Sequence, residues 1–167
     1  MKYWDASAVI PLLVTESTSA SLREAANIDP TIVAWWGTRV ECVSALARRA
    51  RDNRMSTANL AEARQQLGVL TANWSEVQPT DELRRMAERI VSVHSLRSAD
   101  AVQLAAAMAA CDGATANLPF VSLDTRLREA AIREGFTVLP ATAARATAVR
   151  ERPPRRKQIK RSRRTQA

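Results

Sequence analysis

Four acidic residues, Asp5, Glu41, Asp100 and Asp124, stand where an apolar run hands over to a helical pattern. Asp5 closes the short run Lys2-Tyr3-Trp4, and Asp124 follows Phe120-Val121-Ser122. Glu41 falls in the first turn of the helix expected after Thr31–Trp35, and Asp100 in the first turn of one starting at Ser98. In a parallel α/β sheet all strand-to-helix junctions share the carboxyl edge, where ligands gather. The four acids should therefore converge. Crowded carboxylates raise one another's pKa unless a cation compensates. Lys2 is the only lysine before Lys157, and no basic residue adjoins Asp5 or Asp100. A hard divalent ion, Mg²⁺ or Mn²⁺, suits such a donor set and leaves room for phosphate oxygens and water. An ion held in this way can activate a bound water.

Each acid also has a plainer role. Acids in first helical turns contribute ~0.3–1 kcal/mol against the helix dipole. Thr38-Arg39-Val40-Glu41 matches a capping box with Thr38 as N-cap. Asp124 could cap its own helix, and Ser98 the helix that carries Asp100. A cap, however, needs only one polar oxygen, and Ser or Asn would serve.

The elements that must position these acids follow from hydrophobic periodicity. Strands are expected at residues 2–5, 31–35, 119–123 and 136–139, with a further short one at Ser75 to Gln78. Helices are expected from Ala8, over 19–27, 38–52, 57–69, 81–91, 98–110 and 125–134, the last closed by Gly135 as a left-handed C′ residue. In the 38–52 helix, Val40, Val43, Leu46 and Ala47 mark the buried face. Strands alternating with helices predict an α/β fold, a central parallel β-sheet of four or five strands flanked by helices.

With 167 residues, 46% of them hydrophobic, the chain can bury a sizeable core in one domain. Residues 150–167 hold nine of the 25 basic residues and one of the 17 acids, so the remainder carries 16 of each. All of the net charge of +8 thus sits in the tail. One folded body is expected over 1–145 and a basic, disordered tail over 146–167. The tail could add salt-sensitive affinity for nucleic-acid phosphates, bind an acidic partner, or simply be solvated. No apolar run reaches the ~20 residues of a membrane span. Cys42 and Cys111 form no CxxC or Cys/His cluster and read as free thiols of a cytoplasmic protein.

Four segments together resemble PIN domains, and most closely the VapC toxins of bacterial toxin–antitoxin pairs. They are Tyr3-Trp4-Asp5-Ala6-Ser7-Ala8, Thr38-Arg39-Val40-Glu41, Leu96-Arg97-Ser98-Ala99-Asp100-Ala101-Val102-Gln103-Leu104-Ala105 and Val121-Ser122-Leu123-Asp124-Thr125-Arg126-Leu127. Their order and spacing match over about Met1 to Pro140. The resemblance implies a PIN-like five-stranded parallel sheet, Mg²⁺ or Mn²⁺ dependence, cleavage of RNA, a homodimer and inhibition by a small antitoxin protein. It carries Asp5, Glu41 and Asp100 over as core metal-binding and catalytic acids, with Asp124 as the more variable fourth. Ser7 and Ser122, beside the acids, either orient them or cap helices. Gln103 stands where relatives often have His or another polar residue, a departure expected to carry little weight. The long basic tail is not a general feature of the family.

Other residues narrow the choice. His94 is the only histidine, which leaves no Ser-His-Asp or Cys-His machinery at hand and predicts a structural or solvent role for it. The glycines form no phosphate-cradling loop. Trp35-Trp36 could stack on bases, although core packing or a dimer or antitoxin contact is the plainer reading. Arg39 and Arg97 stand near the acids and could meet phosphates. A receiver-like phosphoacceptor would need paired acids at the first strand and a late lysine, and both are missing. A nuclease acting on DNA and a catalytically silent nucleic-acid-binding module remain as alternatives.

Overall fold

The computed structural model describes residues 1–141, so the expected body–tail boundary at 145 and the basic tail lie outside the described residues. Five strands are present among the described residues: β1 (Lys2–Trp4), β2 (Ile32–Trp35), β3 (Ser75–Val77), β4 (Phe120–Val121) and β5 (Val138–Leu139). Every pairing is parallel, in the order β3-β2-β1-β4-β5. The expected α/β architecture is therefore the observed one, with five strands.

Seven α-helices connect and cover the sheet among the described residues: α1 (Ala6–Leu13), α2 (Ser19–Ile28), α3 (Thr38–Arg51), α4 (Thr57–Thr71), α5 (Asp81–Val93), α6 (Ser98–Ala109) and α7 (Thr125–Arg133). Side chains alternate along each strand, so the sheet feeds two cores. Trp4, Ile32, Ala34 and Val121 pack with residues of α1–α4. Tyr3, Val33 and Phe120 face the other way, onto α5, α6 and α7. The Tyr3 and Phe120 rings stack with centroids 5.3 Å apart. Small residues on α6 (Ala101, Ala105, Ala106) let Leu83, Ala87 and Ile90 of α5 come close.

Two local expectations about α3 are corrected. Thr38 is not its N-cap. That position is Gly37, with no side-chain cap bond, and Thr38 is fully buried. The face turned to the core is Thr38, Cys42 and Leu46, spaced four apart, whereas Val40 is 64% exposed. Thr and Cys filling core positions disguised the stripe. Gly37 is required by close approach, since a Cβ there would collide with the Trp35 indole. Ser98 likewise is not a cap, because α6 starts after Arg97, which makes no side-chain cap bond. Gly135 does take the left-handed conformation, at φ +91°.

One arginine ties the sheet edge together. Arg128 of α7 donates to the carbonyls of Ser122 (2.6 Å), Leu139 (2.9 Å) and Pro140 (2.7 Å). The planar guanidinium matches three fixed acceptors at the ends of β4 and β5.

Candidate metal centre and its carboxylate ring

Successive elements β1, β2 and β3 step outward on one side of β1, and β4 and β5 lie on the other. The crevice beyond the carboxyl ends of β1 and β4 is thus the topological switch point of the sheet. Trp4 pairs with Val121, so Asp5 and Ser122 emerge next to one another there.

Asp5 is the most constrained acid. It is 5% exposed and caps α1, its Oδ2 accepting from the Ser7 amide at 3.2 Å. The same oxygen accepts from the Ser122 hydroxyl at 2.9 Å and from the Ser7 hydroxyl. Each serine oxygen is held in turn by a backbone amide: Leu123 N–H donates to Ser7 Oγ at 2.8 Å, and Asp124 N–H to Ser122 Oγ at 3.1 Å. Both hydroxyl protons are spent on Asp5, so the 3.3 Å approach of the two serine oxygens is a contact between oriented groups. The serines orient the acid, and the helix caps here are Asp5 for α1 and Asp124 for α7. Burial pushes the Asp5 carboxyl up, the serine bonds pull it back, and the charge of Asp124 adds to the rise.

Glu41 is held differently. Gln103, reaching from α6, donates from Nε2 to Glu41 Oε2 at 2.9 Å and to Thr38 Oγ1 at 3.1 Å. Its Oε1 accepts from the Tyr3 hydroxyl at 2.7 Å. Flipping the amide would set an oxygen against the Glu41 carboxylate, so only this orientation satisfies the network. Burial, with the charges of Asp5 and Asp100, pushes Glu41 up to about 6 despite the bond from Gln103. Gln103 thus positions Glu41, a role the sequence reading did not assign to it. Its signal was in the sequence: it is the one polar residue in the run Ala101–Ala110, one turn on from Asp100.

Asp100 is half-buried in the first turn of α6. Burial and the charge of Asp124 push its carboxyl up, while the Arg97 amide and the charges of Arg97 and Arg126 oppose the rise. Asp124 is exposed and caps α7, its Oδ1 accepting from Leu127 N–H at 2.9 Å.

The four acids form a ring of fields: Asp5 with Glu41, Glu41 with Asp100, Asp100 with Asp124, and Asp124 with Asp5. The ring is open. Among the described residues, no three His, Cys, Asp or Glu side chains have the spacing of a formed ion site. The donor set nonetheless fits a hard divalent cation. Asp5, Glu41 and Asp124 each commit one carboxylate oxygen to hydrogen bonds and keep the other free of them among the described residues.

Comparisons with known proteins show the family and the fold. The chain is 34% identical over 144 residues to Ribonuclease VapC45 of Mycobacterium tuberculosis (strain CDC 1551 / Oshkosh), covering 83% of this chain and 94% of the relative. The values are the same for Ribonuclease VapC49 of Mycobacterium tuberculosis (strain ATCC 25618 / H37Rv). This chain belongs to the VapC ribonuclease family. Two solved structures share the fold seen here. One is a toxin–antitoxin complex from Klebsiella pneumoniae, with a TM-score of 0.54, 12% identity, and coverage of 75% of this chain and 88% of that one. The other is PAE2754 from Pyrobaculum aerophilum, with a TM-score of 0.54, 21% identity, and coverage of 80% and 89%. No protein-family model matches the chain.

The remaining candidates divide. His94 is buried in this VapC chain, bonded through Nε2 to Glu134 Oε1 at 2.7 Å, which is the structural role expected. Trp35 is partly buried against the α5–α6 core, and Trp36 is 50% exposed. Cys42 and Cys111 are free thiols. No helix among the described residues is long and apolar enough to cross a membrane.

Proposed function

We propose that this chain is a metal-dependent endoribonuclease, the toxic component of a toxin–antitoxin pair, with Asp5, Glu41, Asp100 and Asp124 as its metal-binding and catalytic acids. The observation that carries the reading is the carboxylate ring at the switch point, with Asp5 clamped by Ser7 and Ser122 and Glu41 by Gln103. The curated relatives are named ribonucleases, and the Klebsiella neighbour is a toxin–antitoxin complex.

In this reading the free oxygens of Asp5, Glu41 and Asp124, with the carboxylate of Asp100, would hold Mg²⁺ or Mn²⁺. Such an ion, when bound, lowers the pKa of water toward neutrality and offsets the charge of a phosphate. The chain supplies rigidity. Serine hydroxyls fix one face of Asp5, and the Gln103 amide fixes Glu41, so little reorganisation remains. Water attack with departure of the 3′ oxygen leaves 5′-phosphate and 3′-hydroxyl ends and needs no 2′-hydroxyl nucleophile.

The antitoxin partner would find an apolar groove of about 780 Å³ between α5 and the end of β2, lined by Trp35, Leu83, Ala87, Val91 and Val102. A homodimer working in the cytoplasm completes the proposal, and light scattering of the purified chain tests the dimer.

The deciding experiment is cleavage of RNA with Mn²⁺, with and without chelator, for the wild type and for Asp5→Asn and Asp100→Asn. Asn keeps a capping oxygen but weakens the cation site. Folded variants that cleave as fast as wild type would remove the assignment, and 2′,3′-cyclic phosphate ends would remove the mechanism. Cleavage of DNA in place of RNA would redirect the substrate.

A further inference from the structure

The carboxylate ring opens on one side into a polar trough. Asp100 and Asp124 share a cleft of about 370 Å³ with Arg97 and Arg126. The same two arginines line the next cleft, about 440 Å³, over the 94–97 turn. Arg126 continues into a third, about 390 Å³, beside Arg133 of α7. Adjoining clefts that share residues make one continuous path out of the site.

Four other arginines already have partners. Arg89 pairs with Glu134, Arg84 with Asp81, Arg49 with Glu16, and Arg128 is consumed by three carbonyls. Arg97, Arg126 and Arg133 are exposed and make no ion pair or side-chain hydrogen bond among the described residues. Guanidinium groups left unpaired beside a carboxylate ring are available to an anion. The backbone adds to this. Arg97 begins α6 without a side-chain cap, so the first N–H groups and the positive dipole end of that helix face the same region. His94 lines two of the clefts, and its Nδ1 is buried without a partner. Glu129 is the one acid along the second and third clefts. The apolar groove beside α5 is unlike this: Arg84 on its rim is offset by Asp81 and Glu88.

We propose that Arg97 and Arg126 form a phosphate saddle that holds the RNA strand as it leaves the carboxylate ring, and that the strand continues along the trough toward Arg133. They are positioning residues, contacting phosphates next to the one that is cleaved. The proposal rests on the ribonuclease reading and names the surface through which substrate is held.

The test uses the full chain and a 5′-fluorescein-labelled single-stranded RNA, with EDTA present so that nothing is cleaved. Anisotropy gives the affinity between 50 and 300 mM KCl. Each phosphate contact on a single strand contributes about 0.7 to the slope of log K against log salt. The double variant Arg97→Gln/Arg126→Gln should flatten the slope by about 1.4 units. With Mn²⁺ it should raise KM more than it lowers kcat. Arg97→Lys/Arg126→Lys should keep most of the slope, and Arg64→Gln, on the exposed face of α4 across the sheet, should leave it unchanged. A merely structural role would not move a salt slope. If the wild type binds and cleaves RNA and the double glutamine variant keeps its slope and KM, the saddle is wrong while the ribonuclease reading stands. If the wild type neither binds nor cleaves, both fall.

Discussion

Gln103 Nε2 donates a 2.9 Å hydrogen bond to Glu41 Oε2 across the gap between α6 and α3. Through its Oε1 the same amide also meets the Tyr3 hydroxyl on β1. The orientation of one acid of the ring is thereby tied to the central strand and to both helices that flank it.

Replacing that amide tests the tie. Gln103→Leu leaves the buried Tyr3 hydroxyl and Thr38 side chain short of a partner, which costs about 1–3 kcal/mol for each stranded group. Thermal melting should show the loss, and cleavage should fall further than the melting shift explains, because Glu41 is released as well. A variant with wild-type melting and wild-type cleavage would show that the bond is incidental.

Ser122 is fully buried between Asp5 and the Asp124 amide. Ser122→Ala removes a donor from Asp5 and leaves the Asp124 amide unpaired. Loss of such an outer partner costs about 10–100-fold in metal affinity. Titration calorimetry with Mn²⁺ should read that loss while circular dichroism stays native. Unchanged affinity would assign Asp5 its place without the help of Ser122.

Stability of the metal-free chain should fall as pH rises through mildly acidic values. Glu41 binds its proton up to about 6 in the fold, against an ordinary 4.5, so between those values the folded state holds more protons than the unfolded one. The advantage is full below 4.5 and is lost as pH passes about 6. Asp5 and Asp100 are shifted in the same direction. At Glu134, burial pushes the carboxyl up, but the bonds from His94 and Arg89 win and lower it, so its contribution is lost as pH falls, on the acid side of this window. Melting temperatures in EDTA should therefore drop between pH 4.5 and 6.5, and Glu41→Gln should flatten the drop. Saturating Mn²⁺ should reverse the slope, since metal binding releases the protons. Equal slopes with and without Mn²⁺ would count against the carboxylates as its ligands.

Arg128 offers a test of the scaffold apart from the chemistry. Its three carbonyl bonds hold the ends of β4 and β5, and hydrogen bonds to charged groups are worth about 1.5–3 kcal/mol. Arg128→Ala should lower the unfolding free energy by roughly that amount in urea titrations. Lysine should recover only part of the loss, because its point charge cannot span three acceptors. Full recovery by lysine would mean that charge alone matters there.

The order of elements, the parallel sheet and the positions of the four acids were legible in the residues themselves. Hydrophobic period distinguishes strands such as Ile32–Trp35 from helices such as Ser98–Ala109, and strand–helix alternation dictates one carboxyl edge where the acids gather. The face of α3 was misread because Thr38 and Cys42 occupy core positions that an apolar stripe would be expected to fill. Which groups serve the acids was decided only by the tertiary structure. Ser122 reaches Asp5 from 117 positions away and Gln103 reaches Glu41 from 62, through strand register and helix packing. Nor does local pattern separate the paired Arg89 from the unpaired Arg97 and Arg126. A hydrogen bond or ion pair depends on distance in space, and distance in space is set by how whole elements pack.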